Sequence, residues 1–222
     1  MTAPSAVGAP APPSAPAPFV RLLYQGSPLQ ASRLVRAAGR CDAQILAEPH
    51  DTGDPLELLR AGRADFAVAS AEARLPGLAL SPVLFTEGRV LAVGSGHALA
   101  GHSAVRLSDL AREGVAPAPA PSPWRWHPGA APTGPGPTQS LRELFRAIVH
   151  ARTVHVFPAS IADVAPRGVR LLDILDAPPV PIALAWSADR GVSPEAAGFL
   201  RDAVGRAPAG ESRTTHGKDH GR

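Results

Sequence analysis

The residues of this chain with chemical reach are hydroxyls and aromatic rings placed at the ends of apolar runs. Ser27 stands between Gly26 and Pro28, ahead of a helical pattern. A serine there caps the helix, and its hydroxyl and the first free N–H groups together make a corner that favours an anion. Ser70 closes the run Asp65-Phe66-Ala67-Val68-Ala69. It therefore sits at the carboxyl end of a strand, where open α/β sheets hold ligands. Thr138 precedes a second helical pattern and offers another hydroxyl. Phe157 ends the run TVHVF at 153–157 and reads equally as a binding wall or as core. Trp124 and Trp126 flank Arg125 in a loop rich in proline. An arginine between indoles can stack on a planar acid or an aromatic ring. Each of these residues also has a plainer role open to it, as a cap, a loop residue, a helix start or a loop anchor.

The motifs of catalysis do not occur. There is no G-x-S-x-G, no H-E-x-x-H, no phosphate-binding P-loop and no G-x-G-x-x-G. His97 and His102 bracket a turn, and His216 and His220 fall in a polar tail. No cysteine or acidic cluster completes a metal site beside them. The expectation is a chain that is not an enzyme and needs no metal and no cofactor. Cys41 is the single cysteine, which excludes an internal disulfide and fits a reducing cytoplasm. The formal charge is +3, from 22 Lys+Arg against 19 Asp+Glu, and the two signs are interspersed. That pattern does not mark a nucleic-acid surface. No apolar run approaches the roughly 20 residues that span a bilayer. Residues 1–18 lack both a basic start and a continuous apolar stretch, so they read as a Pro/Ala tether and not as a signal peptide. Residues 207–222 read as a disordered polar tail.

The elements that must position these groups follow from periodicity. Residues 19–25 form an apolar strand. Ala31, Leu34, Val35 and Ala38 then repeat at helical spacing until Gly39. Residues 43–47 make a second strand. Asp54-Pro55-Leu56-Glu57 opens a helix, with Glu57 at the reach-back position of a capping box, and Gly62 closes it. Residues 64–69 are a run of small apolar side chains, as in a parallel strand covered on both faces. The order β-α-β-α-β implies parallel pairing with right-handed crossovers. No third crossing helix follows. The chain instead runs extended from 78 to 85 and on through 89–93, which is read as departure into a second lobe. That lobe holds a short helix at 108–113 and a Pro-rich loop at 115–137. A helix at 138–151 follows, with Leu141, Leu144, Phe145 and Ile148 on one face and the box Ser140-x-x-Glu143 at its start. Strands at 153–157 and 180–186 come next, and a last helix opens at Ser193-Pro194-Glu195 with Phe199, Leu200 and Ala203 inward.

Taken in order, these pieces resemble a known family. LELLRAGRADFAVAS, then PGL at 76–78, then the turn Gly96-His97-Ala98-Leu99-Ala100-Gly101 and the helix start Leu107-Ser108-Asp109-Leu110 are similar to the effector-binding domain of LysR-type bacterial transcriptional regulators. VHVFPAS at 154–160 and DAPPVPIALAWSADRGVSPEAAGFLRDAV at 176–204 extend the likeness to about residues 20–204. The resemblance implies the α/β fold of type II periplasmic binding proteins: two lobes joined by two crossover strands, with a ligand cleft between them. Residues 19–84 and 182–206 would form lobe I, and 85–181 lobe II. Ser27, Ser70, Trp124, Thr138 and Phe157 are the candidates to line that cleft, Ser27 because the start of the family's first helix faces it. The expected ligand is a small anionic or aromatic metabolite. The expected partners are a second copy of the chain or a DNA-binding regulator, with no membrane. The family's winged helix-turn-helix has no counterpart before residue 19, so DNA reading is expected from a partner or from an upstream segment. A solute-binding receptor of the same fold is the alternative, and an enzyme on that fold a further one.

Overall fold

A computed structural model of the protein describes residues 19–40, 44–51, 55–72, 76–112, 140–150 and 153–207. Trp124 and Thr138 lie outside these described residues.

The first sheet begins as periodicity leads one to expect. Strand β1 (Val20–Tyr24) pairs in parallel with β2 (Ile45–Pro49) on one side and β3 (Phe66–Ser70) on the other. The crossovers are helices α1 (Pro28–Ala37) and α2 (Leu56–Arg60). Alternate side chains of β1 go to opposite faces, as a pleated strand requires. Leu22 joins Ala31, Leu34, Val35, Phe66, Phe199 and Ala203 in one cluster, and Leu23 joins Leu59, Ala64 and Ala67 in another. Ser27 and Pro28 start α1 as the sequence indicates, because serine accepts from a free N–H and proline lacks one to leave unsatisfied. At α2 the start differs: Pro55 holds the cap position and gives no side-chain hydrogen bond.

The extended crossing does more than leave the first sheet. Strands β4 (Leu78–Leu80) and β5 (Phe85–Glu87) both pair with the late strand β10 (Val180–Ser187), which also pairs with β3. All three of these pairings are antiparallel, so the order is β2-β1-β3-β10-β4, with β5 also on β10. The closing helix α5 (Pro194–Gly205) packs back on this sheet through Ala196, Phe199 and Ala203.

The second sheet has the order β7-β9-β6-β8, formed by β6 (Arg89–Gly94), β7 (Ala104–Val105), β8 (His155–Pro158) and β9 (Val169–Ile174). Every residue of β6 is buried. Leu91 and Val93 face a cluster with Val105, Leu110 of α3 (Leu107–Arg112), Val156 and Leu172. Val90 and Ala92 face another with Phe145 and Ile148 of α4 (Leu141–Val149), Phe157 and Ile161. Strand β9 has no counterpart in the sequence reading. Arg170 and Asp173 interrupt its apolar residues, yet it is the inner strand that joins β6 to β7. The capping box at Ser140 and Glu143 forms in full. Among the described residues, no helix is long and apolar enough to cross a membrane.

Candidate functional site

Two sheets with separate cores leave a seam, and α1 presents its polar edge there. Ser27, Gln30 and Arg33 are three residues apart and so lie along one side of the helix. Opposite them runs the short 3-10 helix Ala159–Asp163, which follows β8. The Ser27 hydroxyl donates to Asp163 Oδ2 and accepts from the backbone N–H of Gln30 at 3.1 Å. The Gln30 amide donates to Ser160 Oγ at 3.3 Å. The Ser160 backbone N–H donates to Glu87 Oε2 at 3.3 Å, which places a carboxylate at the positive end of the 3-10 helix. Glu87 Oε1 lies 3.6 Å from the Arg33 guanidinium, beyond hydrogen-bond reach, and has no hydrogen-bond partner among the described residues. The Arg33 guanidinium also stands 5.1 Å from the centre of the Phe85 ring.

Gly26 fits this seam for two reasons. Its φ of 83° lies in the left-handed region, and a Cβ there would stand 3.2 Å from Ile161 Cδ1. Farther along, Asp51, just after β2, accepts from the Leu141 N–H at 2.8 Å and so caps α4 across the seam. A cavity of about 460 Å³ opens there, with Asp51 on one side and Leu141, Phe145 and Val164 on the other. Arg142 and Arg146, both exposed, are among its walls.

The connections between the sheets meet at Arg89. Its Nε donates to the Pro178 carbonyl at 2.6 Å, and its Nη2 lies 3.2 Å from both carboxylate oxygens of Glu72. The side chain is 1% exposed. Burial pushes this guanidinium below its ordinary pKa, while the charge and hydrogen bond of Glu72 pull it back up.

Of the residues singled out from sequence, Ser27 lies at the centre of the seam. Ser70 ends β3 and its Oγ accepts from the Glu72 N–H at 3.2 Å, which places it next to the Arg89 contact. Phe157 is 7% exposed and packs against Phe145 and His155 with ring centres 5.7 and 4.4 Å away. His97 Nδ1 accepts from the Leu99 N–H at 3.2 Å and caps the 3-10 turn Ala98–Gly101. Gln30, Asp163, Glu87 and Asp51 were not singled out. A Pro-Ala-Ser followed by an acid within one turn is the faint sequence sign of Asp163.

A family model described as the LysR substrate binding domain matches residues 41–207. Among solved structures, CbnR, a LysR family transcriptional regulator, is similar with TM-score 0.59 and 17% identity over 86% of this chain and 71% of that one. The effector-binding domain of QuiR in complex with shikimate is similar with TM-score 0.57 and 17% identity, over 85% of this chain and 96% of that one. The BenM effector-binding domain with its effector benzoate has TM-score 0.53 and 17% identity, over 85% and 91%. No curated protein matches the sequence significantly.

Proposed function

This chain belongs to the LysR substrate-binding domain family, and on that basis we propose that it senses a small anionic or aromatic metabolite held between its two sheets. The observation that carries this reading is the seam itself. Two separately packed cores meet through polar groups on α1 and the 3-10 helix, and a polar interface between cores can rearrange without breaking either one. Ser27, Ser70 and Phe157 belong to this proposed lining, and Trp124 and Thr138 are assigned to it from sequence. The cavity at the seam's end supports the ligand class, since Phe145 offers an aromatic wall and Arg142 and Arg146 offer positive charge. Similar domains, QuiR with shikimate and BenM with benzoate, hold ring-bearing acids of this kind.

Ligand binding favours one arrangement of the sheets in proportion to its differential affinity for the two arrangements. The output is a change in transcription, delivered by a DNA-binding partner or through pairing with a second copy. The chain then acts as a cytoplasmic sensor and not as a catalyst. A thermal-shift screen of small carboxylic acids tests the reading. A ligand at about 100 times its Kd stabilises the chain by roughly 2.7 kcal/mol. If no compound moves the Tm and Ser27→Ala behaves like wild type throughout, the reading fails.

A further inference from the structure

We infer that Asp163 determines which ligand group the centre of the seam accepts: a hydrogen-bond donor, such as an ammonium or hydroxyl, in place of a bare carboxylate. The inference rests on the ligand-sensing reading above and specifies its chemistry. A serine hydroxyl has one proton to give. In this chain Ser27 gives it to Asp163 and uses an acceptor site for the Gln30 N–H. An incoming carboxylate therefore finds the hydroxyl proton taken, and the group holding it carries the same negative charge.

A second, separate observation points the same way. Glu87 is 4% exposed at its side chain, and among the described residues its Oε1 has no hydrogen-bond partner, only the Arg33 guanidinium at 3.6 Å. Its other oxygen accepts from Ser160, the residue to which Gln30 also donates. Two carboxylates thus face one linked set of groups, and one oxygen among them still has capacity to accept. A buried acceptor without a donor costs free energy, and a ligand N–H or O–H placed there recovers it. Arg33 is engaged by Glu87 and Phe85, so the positive charges left for a ligand's acidic end lie at the seam's end, on Arg142 and Arg146. The ligand class is then an acid that also bears a hydroxyl or amino group, with its donor toward Asp163 and Glu87.

The test uses the full chain and two minimal probes, methylammonium and acetate, titrated while the Gln30 backbone amide is followed by NMR. Wild type is expected to show the Gln30 signal moving with methylammonium at concentrations roughly tenfold below those needed for acetate, the weight of one charge-assisted hydrogen bond. Asp163→Asn, which keeps the size and removes the charge, is expected to erase that preference, and Asp163→Ala to reverse it. Ser27→Ala in the Asp163→Ala background should abolish the acetate response. The inference is overturned if acetate moves Gln30 in wild type as readily as methylammonium does. It is also overturned if Asp163→Asn leaves the preference unchanged. If a metabolite from the thermal-shift screen binds in the seam while Asp163→Asn changes nothing, this inference falls and the sensing reading stands. If the probe preference inverts as expected while no metabolite binds, the sensing reading falls and the role of Asp163 stands.

Discussion

Arg89 shows how much a single side chain can hold in place here. It begins β6, reaches the Pro178 carbonyl on the returning connection and grips Glu72 beyond β3. One guanidinium therefore links three segments far apart in sequence. Glu72 is 48% exposed at its side chain, so solvent screens its share of the pair. Removing the two partners should have unequal effects. Arg89→Met keeps the apolar stem and loses every donor, and is expected to cost about 1–3 kcal/mol. Glu72→Gln is expected to cost less than about 1 kcal/mol. Urea unfolding of the two variants measures both, and equal costs would contradict this account. Arg89 looks ordinary in the sequence, one of many arginines. Ser27 did not, because Ser-Pro ahead of a helical pattern has a local meaning. The partner of Ser27 was hidden for the opposite reason: Asp163 is 136 residues away.

The same division between local and distant holds for the elements. The helices were legible because caps and periodicity are written within a few residues. Ser193-Pro194 and the Ser140–Glu143 box start α5 and α4 where the sequence marks them. Strand β9 was not legible. Its side chains divide between the two faces of the sheet, so no face shows a continuous apolar signal, and its charged residues read as loop. The edge strands β4 and β5 show in the sequence only as an extended crossing. Their pairing depends on β10, with Leu80 opposite Ala185. Between elements, α4 comes close to β6 at Gly94. A Cβ there would stand 2.6 Å from the Ile148 carbonyl oxygen and 3.3 Å from that of Val149, both backbone atoms that a rotamer change cannot move. Gly94→Ala is therefore expected to push α4 off the sheet and cost roughly 1–3 kcal/mol. A Tm within a degree of wild type would show that α4 shifts freely.

For the molecule as a whole, the resemblance read from sequence and the family match agree, and the α/β fold with two sheets follows from both. On the proposed reading, ligand choice is decided at the seam, and seams are poorly written in sequence. Each residue there answers to a partner on another sheet, so neither periodicity nor spacing within one element exposes it. The two cores, by contrast, are written plainly in the apolar residues of β1 and the run Val90–Val93 of β6.

The strand order has a consequence for how the chain is made. Strand β10 lies between β3 and the pair β4 and β5, yet it is translated after every residue of the second sheet. As the polypeptide leaves the ribosome, β3 must wait with one edge bare while the later-encoded sheet completes itself first. This reverses the usual tendency of the amino-terminal unit to mature earliest during synthesis. A chain truncated just after Leu175 and released from the ribosome should therefore protect β6 to β9 from protease while β1 to β3 are still cut. Extending the chain through β10 and α5 should close the gap.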